Sequence, residues 1–123
     1  MIAIDRLSAL APAEFDRQAR TPGSVVVDLR EADERIASGV IRGSILIPRG
    51  LLEFAADPSS SYHDARLSPD QLILLYCTDG ARSALAAQTL GTLGYRSVAH
   101  LDGGLDAWTA AGSAVDTRFV SPY

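Results

Sequence analysis

Apolar residues along the chain fall into short continuous runs separated by longer amphipathic segments. Four runs are typical of buried strands: 24–29 (SVVVDL), 44–48 (SILIP), 71–77 (QLILLYC) and 95–101 (YRSVAHL). Five segments predict helices: 10–20, 31–38, 51–56, 83–94 and 103–112. A polar stretch at 57–69 (DPSSSYHDARLSP) predicts a loop. Because the strands alternate with helices through short turns, we expect an α/β fold with a central parallel sheet and helices on both faces.

The size and composition of the chain fit an ordinary globular protein. Its 123 residues match one domain, 1–123, and it is 47% hydrophobic and 21% charged. The net charge of −4 argues against a general nucleic-acid or anionic-membrane surface. All 11 basic residues are arginine, which excludes Schiff-base chemistry on a lysine. Because the net charge is negative, any anion that the protein binds must be held by a local site.

The N-terminus and the cysteine count bear on the compartment. The opening stretch MIAIDRLSALAPAEF has no basic head, and Asp5 and Pro12 interrupt its apolar content, unlike a signal peptide. No stretch approaches the roughly 20 apolar residues of a membrane span. The single cysteine forms no internal disulfide. We expect a cytoplasmic protein that does not cross a membrane.

Candidate chemistry lies where the strongest predicted strand ends, in YCTDGARS at 76–83. Gly80 permits a turn with positive φ, so backbone N–H groups of the loop and of the next helix converge above Cys77. Such donors favour a thiolate, and Arg82 adds a fork that fits an oxyanion. The alternative is that Cys77 is an inert buried residue and Arg82 a surface charge at a helix start.

Three blocks of the chain together resemble the rhodanese-like domain family of sulfurtransferases. They are VVVDLREADERIASGVIRGSILIPRG, LLYCTDGARSALAA and HLDGGLDAW, in this order and at fitting distances over nearly the full length. The second block resembles the active-site loop of the family, Cys-x-x-Gly-x-Arg-Ser. The resemblance implies a rhodanese-like three-layer fold with a central parallel sheet.

The resemblance also implies an activity. Cys77 would take the outer sulfur of a donor such as thiosulfate or a persulfide, and a thiol or cyanide would then remove it. The expected partners are small sulfur donors and acceptors or a sulfur-carrying protein, with no cofactor and no nucleic acid. The residues expected to bind substrate are Thr78, Asp79, Gly80, Ala81, Arg82, Ser83, Arg30 and Arg49.

Two other functions remain open. One is a non-enzymatic interaction or regulatory module, although such a module has no physical need for Cys77, Gly80 and Arg82. The other is an arsenate reductase or phosphatase. Four residues separate Cys77 from Arg82, whereas phosphate-cleaving relatives resemble a loop with one residue more, usually with His where this chain has Tyr76. The short loop favours sulfur transfer.

Several residues near the site admit more than one interpretation. Asp28 lies at the carboxyl end of a predicted strand, and we expect an ion pair or a helix cap rather than substrate contact. Arg30 and Arg49 could face the pocket or serve other contacts. Asp79 could oppose doubly charged donors, or it could cap amides of its own loop.

The remaining polar and aromatic candidates are expected to be structural. His63 and His100 lie far apart in the sequence, so we expect no metal site. Trp108 is expected in the core, and Gly103 with Gly104 are expected to give room for close backbone packing.

Overall fold

The structure is a computed structural model, and it describes residues 7–117. Its elements follow one another in the order β1 (Leu7–Leu10), α1 (Pro12–Ala19), β2 (Val25–Asp28), α2 (Ala32–Ser38), β3 (Ile45–Leu46), a 3₁₀ turn (Arg49–Leu51), α3 (Leu52–Ala56), β4 (Leu72–Tyr76), α4 (Ala81–Thr92), β5 (Ser97–Leu101) and α5 (Gly104–Ala110). None of the helices in this part of the chain combines the length and apolar character needed to cross a bilayer.

The strands form one five-stranded sheet in the order β1-β5-β4-β2-β3, and every pairing is parallel. The central strand is β4, which is flanked by β5 and β2. Asp28 at the end of β2 lies in register with Tyr76 at the end of β4. The carboxyl ends of these two buried strands therefore meet at one edge of the sheet, where ligands gather in open α/β folds.

Two apolar clusters cover the two faces of the sheet. On one face, α3 and α4 pack against it through Leu52, Ala55, Ala56, Ala86, Ala87 and Leu90. On the other face, α1 and α5 contribute Phe15, Leu105 and Trp108. Phe15 lies between two aromatic rings, with its centroid 6.5 Å from that of Tyr76 and 6.1 Å from that of Trp108, both edge-on. The expected three-layer α/β architecture is confirmed, and Trp108 lies in the core as expected.

The largest difference between the structure and the sequence prediction lies near the start of the described chain. Strand β1 was not predicted, and the helix expected at 10–20 begins only at Pro12. The sequence of β1, LSAL, contains no β-branched or aromatic residue, so its strand propensity is weak. Its four residues are held by parallel pairing with β5, a partner that lies about 90 positions away in the sequence. Long-range pairing therefore overrides local preference here.

Candidate active site

The candidate nucleophile lies at the centre of the sheet's carboxyl edge. Cys77 directly follows β4 and is fully buried. The chain then turns through Gly80, whose φ of 96° is left-handed, and enters α4 at Ala81. A Cβ on Gly80 would lie 3.1 Å from the backbone nitrogen of Gly103, so the position needs glycine for space as well as for conformation. Helix α4 thus starts two residues earlier than the sequence predicted.

The thiol is held by two groups of its own loop. The backbone N–H of Gly80 donates a hydrogen bond to Cys77 Sγ over 3.2 Å. The thiol in turn lies 3.7 Å from Ser83 Oγ, to which it donates, and Ser83 Oγ donates to the carbonyl of Gly80 over 3.2 Å. The sulfur therefore has a fixed direction, and it faces an amide donor at the N-terminal end of α4.

The first turn of α5 fixes the loop from the other side. The N–H of Leu105 donates to the carbonyl of Cys77 over 2.8 Å, and that of Asp106 donates to the carbonyl of Thr78 over 2.9 Å. A Cβ on Gly104 would lie 2.5 Å from the carbonyl carbon and oxygen of Thr78. The expectation that Gly103 and Gly104 allow close backbone packing is confirmed.

Arg82 is paired with a residue outside those expected to bind substrate. Its Nη1 and Nη2 donate to the two carboxylate oxygens of Glu34 in α2, over 2.9 Å and 2.7 Å. Glu34 Oε1 also accepts from Thr78 Oγ1 over 3.1 Å, and Oε2 accepts from the N–H of Glu31 over 2.8 Å. One carboxylate therefore joins the active-site loop to the start of α2.

This pairing shifts the titration of both partners. The hydrogen bonds from Arg82 lower the pKa of Glu34 to about 2, helped by the N–H of Glu31 and by Thr78 and opposed by partial burial. The same hydrogen bonds raise the pKa of Arg82 above its usual value. Glu34 is therefore ionised at neutral pH, and the fork of Arg82 is occupied by a carboxylate.

A buried polar cluster lies behind the loop. Both carboxylate oxygens of Asp28 accept from Arg30, from Nε over 2.9 Å and from Nη2 over 2.8 Å, and Arg30 Nη2 also donates to the carbonyl of Gly39 over 2.7 Å. Tyr76 Oη donates to Asp28 Oδ2 over 3.0 Å. Burial, and then the Asp28 charge, raise the pKa of Tyr76 to about 12. The hydroxyl therefore stays protonated and joins β4 to β2.

Two of the expected substrate contacts take other places. Arg30 is fully buried in its ion pair with Asp28, so it supports the frame of the site and has no surface with which to touch a ligand. Arg49 donates to Glu53 Oε1 over 2.8 Å and to Thr89 Oγ1 over 3.3 Å, beside the third turn of α4. The ion pair expected for Asp28 is present.

The other expected site residues lie together in the loop at 78–83. Asp79 is exposed, and its Oδ1 accepts from the N–H of Ala81 over 3.0 Å, which is the capping alternative left open by the sequence.

Glu34 is a site residue that the sequence prediction does not include, although a signal for it is present. It is the N3 residue of a capping box with Glu31, in the helix that follows β2, and so it starts at the same sheet edge as Cys77.

The histidines lie apart from this loop. His63 contacts the carbonyl of Leu67 through Nε2, 3.1 Å away, and burial lowers the pKa of His100. Within residues 7–117, no group of three or more His, Cys, Asp or Glu side chains is arranged to hold a metal ion.

Comparison with known proteins bears on the family of the chain. The model of the rhodanese-like domain matches residues 11–111. A sulfurtransferase of Allochromatium vinosum is 32% identical over 96 residues, which cover 78% of this chain and 81% of that protein. A tRNA uridine(34) hydroxylase of Bacillus pumilus is 33% identical over 127 residues, 92% of this chain but only 38% of the hydroxylase.

A solved structure shows a similar fold over nearly the whole chain. It is a protein of unknown function from Rhodopseudomonas palustris, described as a possible tyrosine phosphatase, with a TM-score of 0.84 and 36% identity. The match covers 93% of this chain and 88% of that one. The match of the family model, which spans most of the sequence, decides the question of family. This chain belongs to the rhodanese-like domain family.

Proposed function

We propose that the protein is a sulfurtransferase that carries one sulfane sulfur as a persulfide on Cys77. With thiosulfate as donor, the Cys77 thiolate attacks the outer sulfur, the S–S bond of the donor breaks, and sulfite leaves with the bonding electron pair. An acceptor thiolate or cyanide then attacks the outer sulfur of the persulfide and releases the Cys77 thiolate. The two steps balance without an oxidant, a reductant or a cofactor.

The position of the sulfur is the observation that carries this proposal. The N–H of Gly80, at the start of α4, donates to Cys77 Sγ over 3.2 Å, and this hydrogen bond supports the negative charge of the attacking and departing thiolate. The carbonyls of Cys77 and Thr78 are bound by α5, so the loop keeps its shape as the sulfur is loaded and unloaded.

We propose a thiol, cyanide or a sulfur-carrying protein as the acceptor. The tRNA hydroxylase relative is much longer than the matched region, and the net charge of −4 gives no support for a general RNA surface on this chain. A cytoplasmic setting suits the proposal, because a carrier thiol must be kept reduced between turnovers.

The opposing hypothesis is phosphate-ester cleavage, for which the site is less well suited. Only four residues separate Cys77 from Arg82, and the two guanidinium nitrogens that would hold a phosphate already bind Glu34. A sulfur donor without an oxyanion makes no demand on that fork.

Steady-state kinetics test the proposal. We expect the wild type to transfer sulfur from thiosulfate or an alkyl persulfide to cyanide with ping-pong kinetics, and we expect Cys77→Ser to lose this turnover while remaining folded. Hydrolysis of p-nitrophenyl phosphate, measured on the same two proteins, is the comparison. Cys77-dependent phosphate release without sulfur transfer would replace the proposal with the phosphatase hypothesis.

A further inference from the structure

The counter-ion of Arg82 is held by several hydrogen bonds. Four donors bind the Glu34 carboxylate: two guanidinium nitrogens of Arg82, the hydroxyl of Thr78 and the N–H of Glu31. The two side chains are partly exposed, 36% for Arg82 and 30% for Glu34, so a small solute can reach the pair. The carboxylate therefore occupies a place where an incoming oxyanion would compete with it.

The charge of the donor decides how much this competition weakens donor binding. The thiosulfate dianion must either displace Glu34 from the fork or bind beside it, where the like charges repel. Displacement also breaks the bonds that Glu34 accepts from Thr78 and Glu31. The persulfide of a neutral thiol presents no oxyanion, so it has no group that competes with Glu34 for the fork of Arg82.

We propose that Glu34 is a specificity-determining residue, which acts through Arg82 to select persulfide donors over small doubly charged oxyanion donors. This inference rests on the proposed function, because it concerns the donor step of the same Cys77 chemistry. Asp79, the acidic residue of the loop itself, accepts from the N–H of Ala81 and acts on Arg82 through its charge alone, more weakly than Glu34 does. Glu34 thus influences the choice of donor from α2, outside the loop that carries Cys77.

The favoured donor step balances as follows. The Cys77 thiolate attacks the outer sulfur of a persulfide RS–SH, the RS–S bond breaks, and the thiolate RS⁻ leaves with the electron pair. The new perthiol on Cys77 gives its proton to RS⁻, so the products are the Cys77 persulfide anion and the thiol RSH. No charge accumulates at Arg82 in this step, in contrast to the sulfite dianion that leaves from thiosulfate.

The test compares two donors in three proteins, with cyanide as the acceptor. The donors are thiosulfate and the persulfide of 2-mercaptoethanol, and the proteins are the wild type, Glu34→Gln and the control Glu31→Gln. The control removes one charge from the same capping box, and its side chain is exposed. We expect Glu34→Gln to lower KM for thiosulfate about fivefold, the order that an ion pair of this exposure can supply, with kcat little changed. KM for the persulfide should stay within about twofold in all three proteins.

A double variant shows whether the effect passes through Arg82. The gain in thiosulfate affinity from Glu34→Gln should vanish when it is made in an Arg82→Ala background, because no fork is left to release. Should Glu34→Gln fail to fold, Glu34→Ala serves in its place, since alanine suits the first turn of a helix and also lacks the carboxylate.

The possible outcomes distinguish a failure of the role of Glu34 from a failure of the proposed function. An unchanged thiosulfate KM in a folded Glu34 variant that still turns over the persulfide overturns the role of Glu34 and leaves the proposed function standing. A gain that persists in the Arg82→Ala background also overturns it. If the wild type transfers sulfur from neither donor, the proposed function itself fails.

Discussion

Within the active-site loop, Asp79 looks in the sequence like an obstacle to anion binding, yet its carboxylate accepts a hydrogen bond from the N–H of Ala81. The exposed cap can be replaced by an amide that keeps the same acceptor. We expect Asp79→Asn to change KM for thiosulfate by less than about twofold at low ionic strength, because water screens the exposed charge. A fall in KM as large as that expected for Glu34→Gln would show that the charge of Asp79 acts on the bound thiosulfate.

The fork geometry of Arg82 gives a second prediction at this scale. An ammonium at this position cannot hold both oxygens of Glu34, so Arg82→Lys should lower the free energy of unfolding by up to about 1 kcal/mol. Urea unfolding measures the difference. The control is Arg96→Lys, which alters the more exposed pair with Asp70 and should leave stability unchanged. Equal effects of the two substitutions would mean that the Glu34 pair adds nothing beyond an ordinary surface contact.

Single residues were predictable from the sequence only where the local chain decides their place. Cys77 and Gly80 follow from a strand, a turn and a helix that are adjacent in sequence. Glu34 and Arg82 are 48 positions apart, and no local pattern states that they meet. Arg30 was misplaced for the opposite reason: it lies at a strand end near the site, but its short-range pairing with Asp28 turns it inward.

Between elements, the contact of α5 with the loop decides whether the sulfur is held in place. A Cβ on Gly104 would overlap the Thr78 carbonyl, at 2.5 Å, and the position has a φ of +64°. We therefore expect Gly104→Ala to push the loop away from α5 and to lower kcat/KM for sulfur transfer by about tenfold or more.

Gly112→Ala is the matched control for this substitution. Its φ of +83° carries similar backbone strain, but a Cβ there meets nothing within 4 Å. It should lower the melting temperature and leave kcat/KM unchanged in the folded protein. If both variants lose activity to the same extent, the loss comes from backbone strain and not from the contact between α5 and the loop.

The elements themselves were largely predictable because their signals are local. Runs such as LILLY are long, apolar and bounded by turns, so β4 was predicted within one residue at each end. The predicted start of α4 is two residues too late, because the N-cap position is occupied by Gly80 in a left-handed conformation, and glycine has no side chain that would mark a helix start in the sequence. Strand β1 was missed because only its pairing with β5 makes it a strand.

For the whole molecule, the ionisation of Glu34 couples stability to pH. Its pKa is about 2 in the folded protein against 4.5 as the ordinary value, so the folded state favours the charged form. The resulting stabilisation is complete above pH 4.5 and is lost as the pH falls from there towards 2. Because the group is partly exposed, we expect a loss of about 1 kcal/mol and not the full value that the shift would imply.

Urea unfolding of the wild type and Glu34→Gln checks this expectation. The difference in free energy of unfolding between them should be constant above pH 5 and should shrink as the pH is lowered towards 3. A difference that does not vary over this range would show that Glu34 titrates alike in the folded and unfolded chains.

The central claim is that Cys77 carries a sulfur atom, and intact-mass spectrometry tests it most directly. The protein is incubated with the persulfide of 2-mercaptoethanol, freed of excess donor, and weighed before and after addition of cyanide, beside Cys77→Ser. The account predicts that the wild type gains the mass of one sulfur atom, that cyanide removes it, and that Cys77→Ser gains nothing. A folded wild type that gains no sulfur, or a Cys77→Ser variant that gains as much, would contradict it.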